Sequence, residues 1–291
     1  MLIIIVLINV TEICGCLAAL IILYTYRKIH LWQKLYQNVN ILNNDEEQCH
    51  TISIVAFFIQ ILLYFYSLIM WHWLDEPIDN LLLLILINLS PSLQFIYNAA
   101  AHTLLMSIIL EIKRKLIMAN EQLNSDLISM DVTAIHTYVY QAIEGGKTVN
   151  RLFGYQLLIF YFQWFVSLVI NLVNILVMIN PDKYDYPSNT LENINIFTCD
   201  VFLAAFGPCT IAFACDMVAT EADNFMVYCY EIEEKFQYSS REYHELQSLT
   251  SILGNGVLQF TAAKFIEIKR PMMLSIMASA TTYFIALVQF Y

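Results

Sequence analysis

The chain has 291 residues, of which 59% are hydrophobic and only 13% charged, and its formal net charge is -11. A soluble domain carries about a quarter charged residues, so this composition cannot cover a water-facing surface and points to an integral membrane protein. The acidic balance leaves no basic face for phosphates and excludes a nucleic-acid partner.

Six stretches reach the roughly 20 apolar residues that a helix needs to cross the hydrocarbon core. They are 2–24, 52–74, 82–110, 155–180, 195–220 and 272–290. The first resembles a signal peptide in position only. It has no basic leader, its apolar run is too long and no small-residue cleavage site follows. The third contains Ser90-Pro91-Ser92 and reads as one kinked helix, because neighbouring helices can satisfy the backbone groups that a proline frees. The fold class expected is therefore all-α, a polytopic membrane protein with six transmembrane helices.

The connecting segments alternate in charge. Arg27, Lys28 and Lys34 lie in 25–51, and Lys113, Arg114, Lys115, Lys147 and Arg151 in 111–154. Lys235, Arg241, Lys264, Lys269 and Arg270 lie in 221–271, whereas 75–81 and 181–194 hold only Lys183. Thirteen of the 14 Lys and Arg thus sit on one side, which the positive-inside rule makes cytoplasmic. The C-terminus then emerges outside the cell, the reverse of a G-protein-coupled receptor. With six spans Met1 also starts outside, and the expectation is a further span upstream, Met1 being an internal methionine of a longer chain. The cytoplasmic segments are not tails: in 111–130, Ile112, Leu116, Ala119, Leu123 and Leu127 recur at helical spacing, so this segment continues its span inward. The segment 222–253 combines acidic residues with Phe225, Tyr228, Ile232, Phe236 and Tyr243.

The seven cysteines are scattered, and five of them, Cys14, Cys16, Cys199, Cys209 and Cys215, fall in apolar runs as small packing residues. No metal-ligand spacing, nucleophile–base pair or paired carboxylate occurs, and "EGGKTVN" at 144–150 lacks the P-loop spacing. No enzyme activity, cofactor or metal is expected. Sequons at Asn9 and Asn88 lie in apolar runs and are poor glycosylation sites.

Polar residues inside spans are costly and mark function or internal pairing. Glu12 lies near mid-depth and Asp200 in the outer half of its span. Both read equally as pocket lining or as internally hydrogen-bonded. Asp216, near the cytoplasmic end, reads as a helix-end residue reaching the interface. Tyr66, Trp71, Gln94 and Asn171 occupy outer halves of spans and suit a small amphipathic ligand, although Trp71 also fits an aromatic belt. In the last span Ser275, Ser279, Thr282, Ala286 and Gln289 are spaced at helical intervals and form one polar or small stripe, with Met277, Phe284, Leu287 and Val288 opposite. Such a stripe faces water in a shared pore or packs against another helix.

Two segments carry a family resemblance. "TYFIALVQF" at 282–290 resembles the TYhhhhhQF signature of insect gustatory receptors, with Thr282, Tyr283, Gln289 and Phe290 at the motif positions. "TAAKFIEIKR" at 261–270 is similar to the segment that precedes the final span in that family. The resemblance implies a seven-span chemoreceptor of the plasma membrane that opens as a tastant-gated cation channel in sensory neurons, built as a homo- or heterotetramer. It implies a ligand-binding bundle over 1–220, a cytoplasmic anchor segment over 221–270 and a pore-lining helix over 271–291. Gln289 would then ring the outer mouth, and Ala286, one turn inward, would form the constriction. Two departures stand out. The family has seven spans, and sugar receptors carry an acidic residue where this chain has Phe284, which argues against a sugar ligand. A secondary transporter with Glu12 and Asp200 as coupling groups is the competing reading, though no half of the chain mirrors the other.

Overall fold

The computed structural model describes residues 10, 13–18, 20–21, 24–25, 27–39, 47–74, 81–124, 132–179, 190–234, 238, 240–254 and 258–290. In 47–50, 70–74, 81–91, 94, 178–179, 190–197, 242 and 290 it describes the backbone alone. The chain runs through α1 (Ile29–Val39), α2 (Glu47–Leu74), α3 (Leu81–Leu123), α4 (Val132–Ile179), α5 (Thr190–Glu233) and α6 (Arg241–Gly254). A hairpin of β1 (Thr261–Ala262) and β2 (Ile266–Glu267) leads into α7 (Arg270–Phe290). The protein is an all-α membrane protein. Five of the six expected spans appear as long apolar helices, in α2, α3, α4, α5 and α7. The expected span 2–24 lies largely outside the described residues, and its described part, including 13–18, is helical.

Helix length separates two regions. α3, α4 and α5 have 43, 48 and 44 residues. At a rise of 1.5 Å per residue each is about 65–72 Å long, more than twice the ~30 Å hydrocarbon core. α3 continues past its span to Leu123, as the 111–130 periodicity predicts. α4 begins at Val132, so the glycine pair of "EGGKTVN" lies inside a helix rather than a loop. Position 220, expected as a domain boundary, falls inside α5.

The buried core lies mostly in these extensions. Leu105, Ile108, Ile109, Ile112, Leu116 and Leu123 of α3 are at most 1% exposed, and their three- and four-residue steps put them on one face. They meet Ile135, Val139, Leu152 and Leu157 of α4, and Ile211, Val218 and Phe225 of α5. α6 adds Leu246, Leu249 and Leu253. Charged groups rim this core. Glu144 of α4 takes Lys34 of α1 at 2.5 Å and Lys147 at 3.1 Å. Asn120 donates to Glu221, joining α3 to α5. Trp32 of α1 packs edge-on to Phe153 of α4, with ring centroids 5.5 Å apart.

α7 rests on α4 and α5. Its root is fixed by Arg270, which bonds Asp216 of α5 at 2.8 Å and lies over the Phe213 ring at 4.9 Å. Asp216 is therefore ion-paired rather than reaching out alone.

Candidate ligand cavity and terminal helix

A cavity of about 100 Å³ opens among α2, α3, α4 and α5, close to mid-depth of their apolar stretches. Its wall includes Gln60, Asn98, His102, Gln163, Trp164 and Ser167. Two local features create it. Pro208 lacks an N–H, so the Ala204 carbonyl one turn back loses its helical donor; both residues line the cavity. The Pro208 carbonyl accepts from Tyr161 Oη at 3.1 Å, which ties α4 to this break. Beside it, Gly207 admits the His102 ring: a Cβ there would stand 2.3 Å from His102 Nδ1. No other residue leaves that space. The ring also meets Phe160 edge-on at 4.3 Å.

The wall has hydrogen-bonding capacity to spare. His102 Nε2, Trp164 Nε1 and Asn98 Oδ1 are buried without a hydrogen-bond partner among the described residues. A buried polar atom left unpaired costs about 1–3 kcal/mol, so this wall favours any small molecule that donates and accepts. Among the described residues no Asp, Glu, Lys or Arg belongs to the wall, and a charged ligand would find no counter-ion there.

Three of the residues expected to bind ligand have described side chains. Glu12 is outside the described residues, as are the side chains of Trp71 and Gln94. Tyr66 is 49% exposed on the outer surface of α2. Asn171 is buried and donates to the Ser167 carbonyl of its own helix at 2.9 Å. Asp200 accepts from Ser67 Oγ of α2 at 2.6 Å, an α2–α5 tie within the membrane region. Of these, the three whose side chains are described, Tyr66, Asn171 and Asp200, do not belong to the described cavity wall. Sequence reading missed His102 and Trp164 because single polar groups on four helices share no spacing; Gly207-Pro208 inside an apolar run was the available signal.

α7 has two distinct faces. Met273 and Ala280 are buried and Ile276, Phe284 and Leu287 half-buried against the bundle. At 100° per residue, the stripe Ser275, Ser279, Thr282, Ala286 and Gln289 centres about 140° from that packed face. Ser275, Ser279, Thr282 and Gln289 are exposed and Ala286 half-exposed. The hydroxyls are paired within the helix: Ser275 donates to the Pro271 carbonyl at 3.2 Å, Ser279 to Ser275 at 2.8 Å and Thr282 to Ala278 at 2.9 Å. Gln289 has no such partner among the described residues. Of the motif residues, Tyr283 meets Phe165 of α4 edge-on at 5.6 Å, while the Phe290 side chain lies outside the described residues.

Long helices spanning a bilayer, a neutral polar cavity between four of them and a two-faced terminal helix define a polytopic membrane receptor fold. The whole chain, residues 1–291, matches the family described as 7tm chemosensory receptor, and it belongs to that family. Among solved structures it is similar to the insect olfactory receptor OR5 from Machilis hrabei, with a TM-score of 0.62 and 14% identity over 98% of this chain and 80% of that one. OR5 in complex with eugenol gives a TM-score of 0.67 and 13% identity, covering 99% and 82%. At this identity the likeness concerns the fold. No curated protein sequence matches the chain.

Proposed function

We infer that this chain is a taste-type chemoreceptor subunit that acts as a ligand-gated cation channel in the plasma membrane of sensory neurons. The observation that carries the reading is the two-faced α7, whose polar and small side is turned away from its own bundle. A single subunit leaves that side uncovered. Four copies about one axis, forming a homo- or heterotetramer, bring the stripes together around an aqueous path, with Gln289 at the mouth and Ala286 at the constriction. The motif "TYFIALVQF" supports the gustatory over the olfactory assignment. Residues 1–220 then form the ligand bundle, 221–270 the cytoplasmic anchor and 271–291 the pore helix.

The neutral wall of the cavity favours a small uncharged ligand with both a donor and an acceptor, a class to which the eugenol of the OR5 complex belongs. At about 100 Å³ the cavity is below the roughly 300–1,000 Å³ of drug-sized pockets, so bulky tastants fit poorly. The transporter reading requires Asp200 as a free coupling group, and its bond to Ser67 weighs against that.

The test is whole-cell current with ion substitution, alongside surface labelling. Ala286→Leu places a bulky group at the constriction in every subunit and removes most of the current at unchanged surface expression. Gln289→Glu puts carboxylates at the mouth and shifts preference among cations, since charged rings tune selectivity. Leu287→Val, on the packed face, leaves permeation unchanged. Ordinary current and selectivity in both of the first two variants remove α7 from the conduction path.

A further inference from the structure

Between α6 and α7 the chain passes through the hairpin, and one side chain of α4 holds it there. Asn150 Nδ2 donates to the Gln259 carbonyl at 2.6 Å, and Asn150 Oδ1 accepts from the Thr261 N–H at 2.9 Å. A carboxamide carries the same donor and acceptor as a peptide unit. Asn150 therefore pairs with the hairpin as one residue of a third strand, mounted on a helix. One turn on, Gly154 lets the hairpin backbone close in: a Cβ at Gly154 would lie 3.2 Å from Ala263 N. Phe260 and Ala262 are 2% and 0% exposed, and the Ile268 N–H bonds the Phe260 carbonyl at 2.9 Å beyond the paired strand residues.

The turn itself is strained. Ala263 and Lys264 have φ of 50° and 64°, and the Phe265 N–H bonds the Ala262 carbonyl at 2.9 Å. In this turn Ala263 and Lys264 take the two central positions that Asn-Gly favours, because a Cβ is costly in the left-handed region, and Phe265 makes the loop three residues long between the paired Ala262 and Ile266. Ala-Lys holds it only where the surroundings over-determine the backbone. Asn150 and Gly154 supply that constraint.

We propose that Asn150 is a positioning residue that couples the cavity to α7, so that movement of the cavity wall reaches the terminal helix through the hairpin. The inference rests on the channel reading. α4 is one continuous helix that carries Phe160 and Trp164 in the cavity wall and Asn150 at the hairpin. β2 ends at Glu267 and α7 starts at Arg270, so whatever moves the hairpin moves the root of α7. Without Asn150 the turn relaxes, and α7 is left coupled to α4 only by their direct packing.

Two measurements on the full chain test this. The first is amide hydrogen exchange on purified protein. Asn150→Ala speeds exchange at Thr261 and Ile268 about tenfold, whereas Asn150→Asp, which cannot donate to Gln259 but still accepts from the Thr261 N–H, speeds it at Ile268 and less at Thr261. Adding Ala263→Asn with Lys264→Gly to Asn150→Ala restores slow exchange at Ile268, whose acceptor lies within the hairpin, which a general loss of stability would not allow. The second is resting cation current, with the cavity wall perturbed by Gly207→Ala, which crowds His102, or by His102→Ala, which frees the space. Either one changes resting current about fivefold or more in the native background and markedly less in Asn150→Ala, where only the direct packing of α7 on α4 remains. Surface expression and ion selectivity stay constant throughout. If Gly207→Ala fails to reach the surface, His102→Ala carries the comparison. Unchanged exchange overturns the hairpin contact. Equal effects of the cavity variants in both backgrounds overturn the coupling. Faster exchange in a surface-expressed protein that passes no current in any variant overturns the channel reading and the coupling with it, while leaving the hairpin contact standing.

Discussion

Phe202 and Phe225 belong to the same helix, α5, and meet opposite fates. Phe202, in the membrane region, is 65% exposed, whereas Phe225, in the cytoplasmic extension, is fully buried. The contrast runs through the whole molecule. The cytoplasmic half turns its large apolar groups inward and rims them with Glu144, Lys34, Lys147, Asn120 and Glu221, as a soluble protein would. The membrane half leaves Leu62, Phe202 and Tyr155 facing outward, where lipid is as apolar as the side chain and burial brings no hydrophobic gain. The two halves share helices but not the force that packs them: one is held by water exclusion, the other by close packing and a few hydrogen bonds.

The sharpest way to break this comparison is to truncate both phenylalanines. Phe225→Ala leaves a cavity in a closed core and costs about 3–5 kcal/mol. Phe202→Ala stays within about 0.5 kcal/mol, as surface changes do. Thermal unfolding of detergent-solubilised protein, followed by size exclusion, reads both; equal losses would mean that the membrane half packs like the cytoplasmic one. A smaller effect tests the hydrogen bonds. Ser67→Ala removes the donor to the Asp200 carboxylate and costs about 1.5–3 kcal/mol, measured in the same assay. No change there would leave the membrane half to dispersion alone. The smallest effect belongs to the rim. The Arg241–Glu245 pair is 2.6 Å long, but the arginine side chain is 82% exposed, so Arg241→Ala changes stability by under about 0.5 kcal/mol and less still at high salt.

The same contrast explains what the sequence could reveal. Apolar length marks the spans in α2, α3, α4, α5 and α7, because lipid demands it of every crossing helix. The 111–130 periodicity marks the continuation of α3, because its core face repeats every three or four residues. The inward extension of α4 from Val132 was hidden. Glycine disfavours a helix interior, and at Gly145 packing against Val39 of α1 and Ile112 of α3 overrides that local preference. The cavity was hidden for a different reason: Gln60, His102, Trp164 and Gly207 come from four helices, and only the packing of the bundle brings them together. The α7 stripe was visible as a pattern, but the internal pairing of its hydroxyls was not, since helix geometry alone leaves Ser and Thr free to bond outward.

That internal pairing bears on how the protein is made. A newly synthesised subunit must leave the translocon and enter lipid before it meets any partner. Bare hydroxyls on α7 would resist that step. Ser275, Ser279 and Thr282 instead present their methylene and methyl groups outward while their hydroxyl protons stay on the helix's own carbonyls. The Gln289 carboxamide has no such partner among the described residues, and it sits in the last turn of α7, within reach of the headgroup region. Paired in this way, the stripe can lie against lipid, and the same hydroxyls are free to rotate toward water wherever water meets them.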